Sequence, residues 1–318
     1  MPSVVRWHGR HPFSPNVATV TTAAESPRAA RPFGAVGLVA FGLVCQEVGA
    51  SFAVLLFPAI GAIGMVSIRL AFSAIVLLAV ARPRLLGHTR QDWLTVIAFG
   101  AVLALMNAVF YEALARVPLG ATITIEVLGP LVLSVVISRR ASSWFWAVLA
   151  FVGVALLGRG SFGVLDPVGV AFAFGAAATW AAYILLSSRT GGRFPRLDGL
   201  AIAMAIGAMI TAPFGIATAG PAILRPGILL LGAAVALLSS TIPYALELVA
   251  LRRLPSSTFS ILMSLSPAIA TAAGLVILGQ RFTWLAFVAI AFVIAASVGA
   301  VLSAARAARP NGLGEPLS

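Results

Sequence analysis

The sequence predicts an all-α polytopic membrane protein with ten transmembrane helices arranged as two inverted five-helix repeats. Three observations lead to this prediction: the composition, the number of long apolar segments and an internal repeat. The chain of 318 residues is 60% hydrophobic and 9% charged, with a mean hydropathy of +1.05, whereas a soluble domain is about 25% charged. Because the chain has too few charged residues to give its helices a polar surface, we expect them to lie in a lipid bilayer.

Apolar segments of membrane-spanning length follow one another along the chain. A helix needs about 20 apolar residues to cross the hydrocarbon. We number the predicted segments 1 to 10 in chain order: 33–57, 60–81, 93–113, 117–138, 142–158, 167–188, 198–219, 228–250, 255–279 and 282–305. Residues 1–32, which lack an apolar core, are expected to form a disordered cytoplasmic tail rather than a signal peptide, and residues 306–318 a second cytoplasmic tail.

The arginines predict how the chain crosses the membrane. All 21 basic residues are Arg. With the N-terminus in the cytoplasm, 16 of them fall in cytoplasmic tails and loops, four fall outside, and Arg69 lies within segment 2. Basic residues concentrate on the cytoplasmic side. The sequence therefore predicts a multi-pass cell-membrane protein with both termini in the cytoplasm.

An internal repeat divides the chain into two halves. Shifting the sequence by 137 residues aligns Tyr111–Pro130 with Leu248–Pro267, and six of the 20 aligned positions are identical. The predicted units are a first repeat at 33–158, a linker at 159–166 and a second repeat at 167–305. Each repeat contains five segments, an odd number, so the second must enter the membrane from the opposite side. Many secondary transporters share this plan.

Two prolines at equivalent places in the repeats predict a binding site. Pro130 lies near the middle of segment 4 and Pro267 near the middle of segment 9. A proline cannot donate to the carbonyl four residues earlier, which leaves the carbonyls of Glu126 and Met263 without that bond. Interrupted backbone at this depth is tolerated where protein or a wet cavity covers it. The pair indicates a transport site; the alternative is a packing kink without a ligand.

Ionisable residues inside the segments are the first candidates for that site. Arg69, Glu126 and Glu47 lie within segments 2, 4 and 1, where a charge costs about 2.5–3.5 kcal/mol on insertion scales. The alternative is a structural ion pair of Arg69 with either glutamate. Glu112 precedes Arg116 by four residues, which indicates a structural pair on one helix face.

Amide and aromatic side chains could complete the lining. The candidates lie on segments 3, 6 and 8: Asn107, Tyr111, Trp180, Tyr183 and Tyr244. Trp and Tyr also serve as anchors at the membrane surface, and that alternative stays open for these residues.

Several function classes are excluded by composition. Without lysine the chain has no Walker A or Schiff-base lysine. The three histidines lie in a tail or a short loop, so no metal-ligand cluster is expected. Neither a cofactor, nor a metal, nor catalytic residues are predicted, and the protein is not expected to be an enzyme. The arginines are dispersed, without the basic stripe that nucleic-acid binding requires.

The chain resembles the EamA-type drug/metabolite transporter superfamily and, within it, the threonine/homoserine exporter branch. The resemblance covers roughly residues 33–305, and its matching stretches are RLAFSAIVLLAVARP (69–83), FYEALARVPLGATITIEVLGPLVLSVVISRR (110–140), TWAAYILLSSRTG (179–191), STIPYALELVALRRLPSSTFSILMS (240–264) and SPAIATAAGLVILGQRFT (266–283). It implies two inverted five-helix repeats and proton-driven export of small amino acids. Ser266 and Gln280 depart from the branch, which often has glutamates there. Glu47 also departs, since a neutral amide is more usual at that position.

These observations lead to the hypothesis of an amino-acid exporter that works by alternating access between the repeats. Arg69 would bind the substrate carboxylate with its fork of N–H groups. Glu126, with the carbonyls that the prolines leave open, would accept from the ammonium, while Gly129 and Ser266 leave room for a small side chain. A buried carboxylate, Glu126 first and Glu47 second, would exchange a proton for the ammonium. The alternatives are a drug or other metabolite exporter of the same fold and a non-transporting membrane scaffold; the oligomeric state is not predicted.

Overall fold

A computed structural model describes residues 32–138, 141–158, 165–243, 246 and 261–307. These residues form helices and turns, and no strand occurs among them. Tyr244, most of the aligned stretch Leu248–Pro267, and the predicted tails apart from residues 32, 306 and 307 lie outside the described residues. The helices in chain order are α1 (Pro32–Ala81), α2 (Arg90–Leu114), α3 (Leu119–Glu126), α4 (Leu128–Ser138), α5 (Ala141–Gly158), α6 (Pro167–Gly191), α7 (Asp198–Ala219), α8 (Pro226–Ala236), α9 (Ser266–Ile277) and α10 (Trp284–Ala307).

Local sequence accounts for several helix starts. Thr89 caps α2: its hydroxyl accepts from the backbone N–H of Asp92, and the Asp92 carboxylate accepts from the backbone N–H of Thr89. This reciprocal arrangement satisfies donors that have no partner within the helix. At α6, the Asp166 carboxylate accepts from the backbone N–H of Val168 at 2.9 Å. Pro167 follows at the first helical position, where a missing N–H costs nothing.

Segments 1 and 2 meet later in the chain than predicted. Helix α1 runs through Pro58 and changes direction at Gly61, whose φ of 70° and ψ of 168° are not helical. A side chain would be strained at that φ, whereas glycine adopts it readily. We call residues 32–60 the first arm of α1 and residues 62–81 its second arm.

The helices have the length and composition of membrane spans. Five helical stretches of the described chain are long and apolar enough to cross a bilayer, and one of them, Val36–Ala81, contains the bend in α1. Four shorter apolar helices, of 10–17 residues, accompany them: Leu119–Leu133, Trp144–Leu157, Pro226–Thr241 and Ile261–Ile277. Large apolar side chains such as Phe41, Phe214 and Trp284 are exposed on the outer surface, as expected for helices that face lipid.

Both segments that contain the predicted mid-helix prolines are interrupted. Segment 4 is broken at Val127, between α3 and α4. Segment 9 is broken at residues 264 and 265, where the backbone N–H groups bond only three residues back, to Ile261 and Leu262. A third irregularity was not predicted: α8 continues into a π-helical turn, Leu237–Thr241.

The helices of the two halves pack mainly against each other. The second arm of α1 lies along α7, where the Ser67 hydroxyl donates to the Thr211 carbonyl at 2.7 Å. Helix α2 packs against α6 and α7, α3 against α9, and α5 against α10. Because the contacts run between halves, the space at the centre of the molecule is bounded by residues far apart in sequence.

Candidate functional site: a polar cavity between the halves

The central cavity has a volume of about 130 Å³. Its walls come from both arms of α1, from α2, α3 and α6, from the π-helical turn after α8, and from the turn before α9. The lining residues combine charged, amide, hydroxyl and aromatic side chains: Gln46, Glu47, Ala50, Arg69, Met106, Asn107, Phe110, Ile123, Glu126, Trp180, Tyr183, Ser239 and Met263.

Arg69 is held by two helices that flank the second arm of α1. Its Nε donates to the Ser240 hydroxyl at 2.9 Å and its Nη1 to the Tyr111 hydroxyl at 2.9 Å. Its Nη2 donates to the Ser239 carbonyl at 3.4 Å, and the guanidinium lies 5.3 Å from the centre of the Tyr111 ring. These partners fix the plane of a charged group whose face borders the cavity.

The Ser239 carbonyl is available to Arg69 for a reason that is visible in the sequence. Pro243 lies four residues later and has no N–H to donate to it. The π-helical turn Leu237–Thr241 lies at this place, and such turns are frequent at functional sites. Pro243 therefore leaves a backbone carbonyl open in segment 8, as Pro130 and Pro267 do in segments 4 and 9, and this third position was not predicted.

Glu47 is fully buried in the first arm of α1. The Ser266 hydroxyl, at the start of α9, donates to its Oε1 at 2.6 Å. Its Oε2 is also buried and has no hydrogen-bond partner among the described residues. Two of the three positions at which the chain departs from the resembling branch are thus in direct contact.

Glu126 occupies the last position of α3, next to the break at Val127. Its side chain borders the cavity and is only partly buried. Glu47, Glu126 and Arg69 all border the same cavity. The cavity thus combines one fixed cation with two carboxylates.

The other predicted site residues lie at different depths around the cavity. Asn107, Trp180, Tyr183 and Met263 border it, and the Asn107 amide donates to the Leu103 carbonyl of its own helix at 2.8 Å. Tyr111 is fully buried and contacts Arg69 rather than the cavity.

Five described candidates lie outside the lining of the cavity. Tyr111 and Ser266 contact lining residues, Arg69 and Glu47, whereas the other three are Gly129, Pro130 and Pro267. Gly129 faces α6 so closely that a Cβ atom would lie 2.7 Å from the Ala177 carbonyl carbon. Its missing side chain allows the close approach of α6, and Gly129 does not border the central cavity. Pro130 and Pro267 act on the backbone before the breaks.

Sequence reasoning missed several lining residues: Gln46, Ala50, Met106, Phe110, Ile123 and Ser239. Gln46 adjoins Glu47, Met106 adjoins Asn107, and Phe110 adjoins Tyr111, so proximity to a predicted residue was a usable signal. Ala50 and Ile123 are ordinary membrane residues, and nothing in the sequence separates them from their lipid-facing counterparts.

Two polar clusters join the halves away from the cavity. Arg193 pairs with Asp92 at 2.9 Å, near the start of α2. At the end of α2, Arg116 pairs with Glu112, as predicted, and approaches Asp166 at 3.8 Å. Nearby, Gln280 accepts from the Leu119 backbone N–H at 3.2 Å, so this departure from the branch has a structural role at the start of α3.

Comparisons with known proteins identify a family of membrane transporters. Residues 167–302 match the EamA-like transporter family. The threonine/homoserine exporter RhtA of Salmonella typhimurium strain LT2 is 40% identical over 260 residues, which are 81% of this chain and 88% of the relative. The RhtA protein of Escherichia coli strain K12 is 40% identical over 257 residues, 80% of this chain and 87% of the relative.

One solved crystal structure is also similar, with a TM-score of 0.60 and 19% identity, covering 87% of this chain and 99% of the other. That likeness concerns the fold alone. The curated relatives are transporters rather than enzymes, and the prediction of a transporter is confirmed. The chain is a multi-pass membrane transporter that belongs to the EamA-like transporter family.

Proposed function

We propose that the protein exports small amino acids of the threonine and homoserine type across the cell membrane, in exchange for protons. The observation that carries the proposal is the combination of Arg69, Glu47 and Glu126 around one small cavity. An amino acid has a carboxylate and an ammonium group, and this cavity offers a charge of opposite sign to each. The relatives' export of threonine and homoserine supports the same substrate class.

The size of the cavity favours a small metabolite over a drug. Its volume is about 130 Å³. Sites for drug-sized ligands occupy about 300–1,000 Å³. Aromatic side chains of Phe110, Trp180 and Tyr183 provide an apolar wall for the substrate side chain. The drug exporter is therefore the second candidate, and a scaffold is disfavoured because it has no use for these charges.

For proton coupling we propose Glu126, with Glu47 as the second candidate. Glu126 is the more exposed carboxylate and adjoins a break in the backbone. Both properties suit a group that must exchange protons with water as the cavity opens to each side. Its proton would be released on one side and replaced on the other, so that the gradient drives the cycle.

The packing supports two inverted repeats. If 33–158 and 167–305 are equivalent, the first arm of α1 corresponds to α6, and α2 to α8. The contacts between the halves are then reciprocal. The first arm of α1 packs against the turn after α8, just as α6 packs against α2. The first arm of α1 also packs against α9, just as α6 packs against α3 and α4. We propose that alternating access consists of one half moving against the other around the cavity.

Transport by reconstituted protein tests this proposal. Vesicles with an imposed proton gradient should accumulate labelled threonine, and Glu126→Gln should abolish the dependence on the gradient. Glu112→Gln is the matched control, because Glu112 pairs with Arg116 outside the cavity. Full proton-coupled transport by Glu126→Gln would exclude its role, and drugs competing better than amino acids would favour the second candidate.

Orientation can be tested with single cysteines. The one natural cysteine, Cys45, is buried and should give little background labelling. Leu86, between α1 and α2, and Leu224, between α7 and α8, are both exposed. With both termini in the cytoplasm, an impermeant maleimide added to whole cells should label Leu224→Cys and spare Leu86→Cys. The reverse pattern would contradict the proposed topology.

A further inference from the structure

We propose that Glu47, rather than Glu126, is the binding site for the substrate's ammonium group, and that Ser266 is its positioning residue. This inference rests on the proposed function and adds a division of labour between the two carboxylates. Nothing in the resemblance suggests it, because a neutral amide is usual at position 47 of the branch.

The first observation is the unequal bonding of the two carboxylate oxygens. Oε1 of Glu47 accepts from the Ser266 hydroxyl at 2.6 Å. Oε2 is buried and has no hydrogen-bond partner among the described residues. Leaving a buried acceptor without a donor is costly, especially when it is charged. A cationic donor that enters the cavity can bond to Oε2 and remove this cost, and the free energy gained favours ligand binding.

The second observation is the position of Glu47 relative to Arg69. Both side chains border the same small cavity. The carboxylate and ammonium groups of an α-amino acid are separated by a single carbon, so their two binding groups must be neighbours. In a bound amino acid the carboxylate would pair with the Arg69 guanidinium, and the ammonium would pair with the Glu47 carboxylate.

The third observation is the hydrogen bond that orients Glu47. Ser266 lies at the start of α9, beside Pro267, while Glu47 lies on the first arm of α1. The bond between them joins the two halves of the chain and fixes one carboxylate oxygen, so the other keeps a defined direction. Glu126, by contrast, is partly exposed at the end of a helix, which suits a proton carrier better than a rigid binding group.

Competition by analogues that each lack one charged group tests the assignment. The assay uses purified full-length protein and labelled threonine, with three unlabelled competitors: threonine, 3-hydroxybutyrate, which lacks the ammonium, and 1-amino-2-propanol, which lacks the carboxylate. Glu47→Gln should weaken threonine and the amino alcohol by about 10- to 100-fold, the range expected for a charged hydrogen bond. It should not weaken 3-hydroxybutyrate, whose carboxylate is no longer repelled by a negative charge at position 47.

Two further variants cover the case in which Glu47→Gln does not fold. Glu47→Asp keeps the negative charge on a side chain that is one methylene group shorter. It should weaken binding of the two amine-bearing competitors by a smaller factor than Glu47→Gln does. Ser266→Ala keeps the carboxylate but releases Oε1, and should weaken the same two by a few-fold. Glu126→Gln should lose proton coupling and should weaken threonine binding less than Glu47→Gln does.

The outcomes separate this inference from the proposed function. If wild-type protein binds none of the amino acids, both are wrong. In a second outcome, threonine binds wild-type and Glu47→Gln protein equally, while Glu126→Gln protein no longer binds it. The proposed export function would then still hold, but the ammonium would be bound by Glu126. Equal losses for threonine and 3-hydroxybutyrate would also overturn the assignment, since they would show that the substitution acts on the Arg69 end or on the fold.

Discussion

Replacing Gly129 with alanine should destabilise the protein without changing which substrates it accepts. Gly129 lies where α4 meets α6, and an added Cβ atom would lie 2.7 Å from the carbonyl carbon of Ala177. Ordinary contact at such a site begins at 3.4 Å, so the two helices must separate by at least roughly 0.7 Å. The obstacle is backbone, which cannot rotate away.

The expected magnitude follows from two opposing terms. Overpacking a filled interface costs about 1–3 kcal/mol, and replacing glycine by alanine inside a helix gains up to about 1 kcal/mol. Because the required displacement involves backbone, we expect the overpacking cost to lie at the upper end of its range. The free energy of unfolding should therefore fall by about 2 kcal/mol. The matched control is Gly175→Ala on α6, where the nearest atom would lie 3.8 Å away, in ordinary contact with Val109.

Thermal unfolding of the two variants in the same detergent is the assay. Gly129→Ala should unfold several degrees below wild type and Gly175→Ala at or slightly above it, while the competition profile of folded Gly129→Ala stays that of wild type. Equal stability of the two variants, together with a selective loss of larger substrates in Gly129→Ala, would refute the reasoning. It would place Gly129 in the cavity, as the sequence first indicated.

Three further substitutions test one contact at the site and two contacts that stabilise the fold. Tyr111→Phe removes the hydroxyl that accepts from Arg69; we expect about tenfold weaker threonine binding in the competition assay, because a buried charged donor loses its partner. Thr89→Ala removes the cap of α2 and should lower the free energy of unfolding by about 1 kcal/mol, measured by thermal unfolding. Trp146→Phe removes the indole N–H that donates to Ser303 at 2.8 Å and should cost about 1 kcal/mol by the same measurement.

Matched controls exist for two of these substitutions. The Thr95 hydroxyl bonds only within its own helix turn, to the Gln91 carbonyl, so Thr95→Ala should be as stable as wild type. Trp144 is exposed on α5, and Trp144→Phe should likewise change little. Loss of stability in either control as large as in its partner would contradict the role assigned to the cap or to the α5–α10 bond. Unchanged threonine affinity in Tyr111→Phe would show that Arg69 is positioned without that hydroxyl.

Much of the architecture could be predicted because it depends on local properties. The length of each apolar segment and the chemistry of proline are read from a few consecutive residues. On this basis the breaks in segments 4 and 9 were predicted, as was the Glu112–Arg116 pair on one helix face. The bend between segments 1 and 2 was placed too early, because helix continues through Pro58 until Gly61 permits the change of direction.

The sequence by itself determined that the chain spans a membrane and which charges it buries there. Only the tertiary structure decided how those charges are paired: Glu47 with Ser266, 219 positions away, and Arg69 with Ser240, 171 positions away. Helices that are apolar on nearly every side carry no stripe that indicates how each is rotated about its axis. The rotation is set by close packing between the halves, as at Gly129 against α6, and it decides which side chains reach the cavity and which face lipid.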